Sequence, residues 1–292
     1  MRPMKQQYED RFVRVGDVRA RYWQSGEAGS AVLLLAGIGC SVLEWENNIG
    51  ALAQRHRVYA LDMLGDGLTD KPTGDRYALA DLAKFACDFL QAVGEERAHF
   101  VGNSLGGRLA LECARRDPGR VTSMTLVAPA GVGRQTHIMM RLPMLPFVGE
   151  MLTRPDRRGL ARLWRLAVYD PALVTSEFVE TKFRLASAPG AHAAFLKTLR
   201  GFVSIGGFAR DQMQSLQQDM RAMNQPALVI WGKQDRFLPC SHAEILRSRL
   251  PRSELRLFDR CGHLPQIEQS QLFNEAVLGF LARVSPHPPG AG

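Results

Sequence analysis

The sequence is poor in the features that mark several large classes of protein. Its five cysteines, Cys40, Cys87, Cys113, Cys240 and Cys261, are odd in number and scattered, with no CxxC or CxxH pair. That argues against a disulfide framework, a zinc site or a redox dithiol, and for reduced, mostly buried thiols. No lysine-rich run, zinc-finger spacing or aromatic ribonucleoprotein pattern accompanies the formal charge of +8, so no nucleic-acid partner is expected. The opening MRPMKQQYEDRFVRV has no sustained apolar run behind its charges; neither a secretory signal nor a membrane span is expected there, and the expected location is the cytoplasm. A dinucleotide fingerprint is incomplete, because Gly37-Ile38-Gly39 lacks its third glycine and Val42 stands in that place. Neither a cofactor nor a metal is expected.

What is present is an ordinary globular composition, 292 residues with 46% hydrophobic and 23% charged, enough for one large domain or two ordinary ones. RFVRVGDVRARYWQ alternates around Gly16-Asp17, the pattern of an antiparallel hairpin. AVLLLAG, RVYALD and AHFVGN are short, continuously apolar runs, as in strands buried on both faces of a parallel sheet. LADLAKFACDFLQAVG and SLGGRLALECARRDPGR have helical spacing, and VTSMTLVAP reads as the next strand. Strand and helix alternate again through ALVIWGKQD, SHAEILRSRL, SELRLFDRCGH and SQLFNEAVLGFLARV. Such alternation predicts an α/β fold, a mostly parallel sheet with helices on both faces.

From about Gly133 the pattern changes. Met-rich helical stretches broken by prolines hold six of the eleven methionines, and from Arg134 to Arg221 thirteen Lys/Arg stand against seven Asp/Glu, a net of 13 − 7 = +6. Because sheet-forming halves flank this stretch, the reading is one interrupted domain: core over 1–132, a helical lid over 133–222, core again over 223–285, and a disordered tail over 286–292. The basic lid reads as a solvated face or as an interfacial element in weak contact with anionic lipid. The oligomeric state is left open.

Gly102-Asn103-Ser104-Leu105-Gly106-Gly107 falls where a buried strand becomes a helix, the setting of a G-x-S-x-G nucleophile elbow. There Ser104 would stand on a strained turn, with glycines at 102 and 106 to avoid collisions across it. The competing assignment is that Ser104 only caps the helix. A serine nucleophile needs a histidine base, and the histidine needs a carboxylate. Of seven histidines, His263 in FDRCGHLPQIEQ follows the last strand and so reaches the same sheet edge as Ser104. Asp235 in VIWGKQDRFLP follows the preceding strand; Asp259 is its rival. The oxyanion amides expected are those of Leu105, at the helix start, and Ile38, after the first long parallel strand.

Together GNSLGG, DMLGDGLTDKP, WGKQDRFLP and CGHLPQIE resemble the α/β-hydrolase superfamily over nearly the whole chain. Within it, WGKQDRFLPCSH, FDRCGHLPQIE and LFNEAVLGFL look like the C-terminal third of the meta-cleavage product hydrolases, which break carbon–carbon bonds. The resemblance implies an eight-stranded sheet with the lid inserted after strand 6. It also implies pocket roles for Asn103, Trp45, Asn47 and Leu264, the last standing where that family commonly has tryptophan. Two further departures bear on substrate: Ala36-Gly37 replaces the usual His-Gly, and only Lys182 and Arg184 lie near the place of the arginine that receives the dienoate carboxylate. The reading that follows is a serine hydrolase that cleaves a carboxylic ester of a small or medium-sized substrate through an acyl-enzyme with a Ser-His-Asp triad. The alternatives are a carbon–carbon hydrolase and, in another class, a non-catalytic or slow-turnover receptor on the same scaffold.

Overall fold

The computed structural model describes residues 8–145 and 147–285; the tail assigned to 286–292 lies outside them. Strand β1 (Arg11–Val15) turns through Gly16, at φ +61°, into β2 (Val18–Ser25), with Val15 opposite Val18. A two-residue hairpin turn with positive φ at its first position favours glycine there, which is why Gly16 precedes Asp17. The remaining strands are β3 (Ala31–Leu35), β4 (Arg57–Leu61), β5 (Ala98–Asn103), β6 (Val121–Val127), β7 (Ala227–Gly232) and β8 (Ser253–Phe258). They form one eight-stranded sheet in the order β1-β2-β4-β3-β5-β6-β7-β8, antiparallel only at β1-β2 and β2-β4. Every residue of β3, β5 and β7 is buried, which explains why their sequences read as unbroken apolar runs.

Helices α1 (Glu46–Leu52), α2 (Leu79–Ala92) and α3 (Leu105–Arg116) connect the first strands. Helix α3 is buried over most of its length and carries the ion pair Arg108–Glu112 inside, with Arg115 also on Glu112. Between β6 and β7 come α4 (Arg157–Ala167), α5 (Ser176–Ala186), α6 (Ala191–Arg200) and α7 (Arg210–Asp219). The Asp156 carboxylate caps α4 by accepting the Arg158 and Gly159 amides, and the Thr175 hydroxyl caps α5 by accepting that of Phe178. Among the described residues this insertion adds no strand to the main sheet; its own strands, Val203–Ser204 and Gly207–Phe208, pair with each other. The core resumes with α8 (His242–Arg249) and α9 (Ser270–Val284). Helix α2 packs on α3 and α1 on α9, so helices cover both faces.

The order reverses at β3, between β4 and β5. In open α/β sheets the crevice at the carboxyl ends of the strands next to such a reversal is where ligands bind, and β5 ends at Asn103, immediately before Ser104.

Candidate active site

Ser104 holds the turn between β5 and α3 at φ +54°, ψ −114°, a strained conformation for a residue with a Cβ. Its amide donates to Val127 O at 2.9 Å, and its carbonyl accepts from Ala130 N at 3.0 Å and Arg108 N at 3.1 Å. Those bonds hold the turn rigid. The hydroxyl makes no capping bond to α3, so helix capping does not account for the serine. A Cβ at Gly102 would overlap the backbone of Gly106, as the sequence suggests. At Gly106 the clash would be with the Leu35 carbonyl of β3, not across the turn, and Gly107 is equally confined, against Gly102 O and Pro129.

His263 Nδ1 and Asp235 Oδ2 are 2.7 Å apart. The other carboxylate oxygen of Asp235 accepts the Phe237 amide at 2.8 Å and the Leu238 amide at 3.0 Å, so its orientation is fixed from β7's end. A carboxylate can only accept, so the imidazole donates from Nδ1 and Nε2 is the ring nitrogen left free of that bond. Asp259, the rival acid, is exposed and takes Gln234 Nε2 at 3.2 Å. His99 is bonded to Ser123 and Ser30, and burial pushes its pKa down to about 4; it is a core histidine.

Ser104 and His263 line one cavity of about 100 Å³ together with Gly37, Ile38, Asn103 and Leu264. The loop after β3 lies against the serine, since a Cβ at Gly37 would stand 3.3 Å from Ser104 Cβ. Within that loop the Ile38 amide donates to no loop carbonyl among the described residues, and the Leu105 amide, first in α3, has no intrahelical acceptor. The loop is braced from below by Asp66, whose Oδ1 accepts the Gly39 amide at 3.1 Å. Burial, then the nearby Asp62 charge, pushes the Asp66 carboxyl up to about 8.

Apart from Thr136, the rest of the cavity is mainly apolar. Leu163 and Trp164 of α4, Phe195 and Leu199 of α6, and Phe202 and Phe208 close it opposite the sheet edge. No Lys or Arg is among its lining residues. Lys182 is buried elsewhere, paired with Glu44 and lying 4.8 Å from the Trp164 ring centroid, and burial pushes its pKa down to about 8. Arg184 is exposed.

Two expected pocket residues are not in the cavity wall. Trp45 is fully buried against Phe273, with ring centroids 6.2 Å apart, because the short helix before α1 turns it into the layer under α9. Asn47 is exposed, and only its carbonyl is engaged, by Asn274 Nδ2 at 2.9 Å. The inward side chain of that stretch is Asn48, whose amide donates to Gln266 O and Asn274 Oδ1. Asn103 does line the cavity, but its Nδ2 donates to Val127 O at 3.2 Å and to His263 O at 3.0 Å. Its role is to tie the His263 backbone to the end of β6.

The residue that sequence reasoning missed is Glu268. Its carboxylate accepts the Gly262 amide (3.0 Å), the Leu264 amide (3.0 Å) and the Tyr169 amide (2.6 Å). It thus grips the chain on both sides of His263, while the His263 amide itself donates to Ala167 O at 2.7 Å. The available signal was a carboxylate one helical turn past a candidate base, at the end of the short helix Pro265–Glu268. Among the described residues no three His, Cys, Asp or Glu side chains converge to hold a metal.

Comparison with known proteins identifies the family. Residues 30–270 match the family model described as alpha/beta hydrolase fold. The chain is 31% identical over 278 residues to 2-hydroxymuconate semialdehyde hydrolase of Pseudomonas putida, covering 93% of this chain and 94% of that one. It is 31% identical over 273 residues to 2-hydroxy-6-oxononadienedioate/2-hydroxy-6-oxononatrienedioate hydrolase of Burkholderia vietnamiensis, covering 91% and 92%. Among solved structures it is similar to a meta-cleavage product hydrolase from Pseudomonas fluorescens IP01, with a TM-score of 0.81, 27% identity, and coverage of 96% of this chain and 99% of that one. With that family model matched over residues 30–270 and relatives 31% identical over most of its length, the chain belongs to the α/β-hydrolase fold family.

Proposed function

We propose that the protein hydrolyses uncharged, apolar acyl substrates, carboxylic esters first among them, through an acyl-enzyme on Ser104. His263 Nε2 takes the proton of Ser104 Oγ as the oxygen attacks the carbonyl carbon, and Asp235 steadies the imidazolium that forms. The tetrahedral oxyanion is received by the amides of Ile38 and Leu105. Its collapse expels the alcohol, which takes the proton from His263; water then repeats the sequence and releases the acid. The insertion acts as the lid that keeps this chemistry out of bulk water. No step draws on a cofactor.

The observation that carries the choice of substrate is the lining without a cation. Burying a carboxylate without a partner costs several kcal/mol, roughly, and the group avoids such sites. The relatives favour a second reading: they are named as hydrolases of 2-hydroxymuconate semialdehyde and of 2-hydroxy-6-oxononadienedioate, and on similarity alone the carbon–carbon reading outweighs the ester. A carbon leaving group needs an electron sink, which a dienoate provides, together with a charge that this cavity does not neutralise.

Steady-state kinetics with p-nitrophenyl esters of rising acyl length, run beside 2-hydroxymuconate semialdehyde, separates the two. The ester reading expects kcat/KM for the best ester to exceed that for the semialdehyde by at least about 100-fold, ~2.7 kcal/mol of transition-state stabilisation. The reverse order establishes the carbon–carbon hydrolase. Tight ligand binding with turnover of neither would indicate the receptor.

A further inference from the structure

The surface of the insertion carries an apolar face that the packed fold leaves uncovered. Of the twelve large apolar side chains exposed among the described residues, seven lie between Ile138 and Leu152, with Phe147 87% and Met151 70% exposed. Scattered exposed apolar side chains are ordinary, but a contiguous group marks a surface that meets something. The group borders a second cavity, of about 240 Å³, whose wall includes Met139, Leu142 and Leu152. This cavity shares Ile38, Met140, Leu163, Trp164 and Phe195 with the one that holds Ser104. The apolar face therefore borders a cavity that is continuous in its lining with the site.

Charge says what covers it. Arg154 is exposed on the rim of the second cavity, and α4 begins just beyond it. Arg158, Arg162 and Arg165 follow at i, i+4 and i+7, on one face of that helix, and all are exposed. Their neighbours Arg157 and Arg200 are neutralised by Glu180 and Glu150, whereas these four have no carboxylate partner among the described residues. A two-fold contact between copies would bring like charges together beside the apolar contact. An anionic bilayer instead offers acyl chains to the apolar group and phosphates to the arginines. No helix among the described residues is long and apolar enough to cross a membrane, so such an association is peripheral.

We propose that this face seats on an anionic phospholipid surface, with Phe147 and Met151 entering the acyl boundary and Arg154, Arg158, Arg162 and Arg165 meeting headgroup phosphates. The surface is read from exposure and charge and stands independently of the reaction assigned to Ser104. Its consequence is that the second cavity opens at the bilayer.

The test is sedimentation of the full chain with vesicles of phosphatidylcholine, with and without phosphatidylglycerol. The wild type is expected to pellet with the phosphatidylglycerol vesicles, less so as salt is raised, and only weakly with phosphatidylcholine alone. The double variant Phe147→Ser, Met151→Ser and the double variant Arg158→Glu, Arg162→Glu should each lower partitioning by about tenfold or more. Both variants should keep wild-type hydrolysis of a soluble substrate, showing that they fold. A wild type that stays in the supernatant, or variants that partition like it, would overturn the proposal. So would sedimentation velocity showing a lipid-free dimer that Phe147→Ser dissociates, which would make this face a contact between copies.

Discussion

The two walls of the cavity that Ser104 and His263 line are built on opposite plans. On the sheet edge, polar side chains are locked to the main chain: Asp235 holds two amides, Glu268 three, and Asn103 two carbonyls. Across the cavity, α4, α6 and the segment after them offer mainly the apolar side chains of Leu163, Trp164, Phe195, Leu199 and Phe202. Hydrogen bonds to a rigid backbone fix position, whereas apolar contacts fix volume and are tolerant of direction. The difference teaches which wall sets rate and which sets selectivity. Changes at the edge should lower kcat, and changes in the insertion should alter KM and substrate length.

The largest expected effect is on the joint between the walls. Lys182 of α5 is 2% exposed and pairs with Glu44 of the core. Lys182→Ala leaves the buried Glu44 charge without its partner and should cost about 3–5 kcal/mol in urea unfolding. Removing both charges, as Lys182→Met with Glu44→Leu, should recover part of that loss; equal damage in single and double variants would mean that the pair is not what joins the walls.

At the edge, Glu268→Ala should lower kcat by about 10- to 100-fold with KM little changed, because the chain on either side of His263 loses its anchor while the cavity lining stays intact. Glu268→Gln, which keeps an accepting oxygen, should recover most of it. A change confined to thermal stability would reduce Glu268 to a structural tie. In the insertion, Leu163→Ala should raise KM for short acyl chains by up to about tenfold and shift preference to longer ones, with kcat held within a few-fold. A kcat loss as large as that of Glu268→Ala would erase the distinction between the walls.

A separate effect, read as a slope with pH, comes from Asp66 beneath the loop after β3. Asp66 stays neutral in the folded protein up to about 8, while in the unfolded chain an aspartate ionises near its ordinary value of ~3.9. The folded state therefore binds more protons between those limits. Linkage then makes the contribution of Asp66 to stability fall as pH rises from about 4 to about 8 and level off above. Asp66→Asn keeps an acceptor for the Gly39 amide and removes the titration, so its melting temperature should decline less over that range than the wild type's. Parallel curves would mean that Asp66 ionises normally.

The edge was far more legible in sequence than the insertion, for a physical reason. Buried parallel strands must be largely apolar, so AHFVGN marks Ala98–Asn103, and Ser104, Asp235 and His263 follow at strand ends. Positions that depend on a distant backbone group were not visible. Nothing local shows that Asn103 turns its amide to the His263 carbonyl or that Glu268 reaches Tyr169. Likewise, helical spacing marks α5 as amphipathic but cannot tell that Lys182 lies on its buried side, since that depends on Glu44, far away in sequence. Trp45 and Asn47 failed as pocket residues for the same reason: their triplet resembles a pocket motif, but the turn before α1 sends Trp45 into the core and Asn47 to the surface.

The claim on which the rest depends is that Ser104 carries the acyl group. Incubation with a fluorophosphonate, followed by peptide mass spectrometry, tests it most directly. The expected result is one phosphonylated serine, Ser104, in the wild type, slower labelling in His263→Ala, and none in Ser104→Ala. Labelling that persists in Ser104→Ala, or a wild type that never reacts, would contradict it.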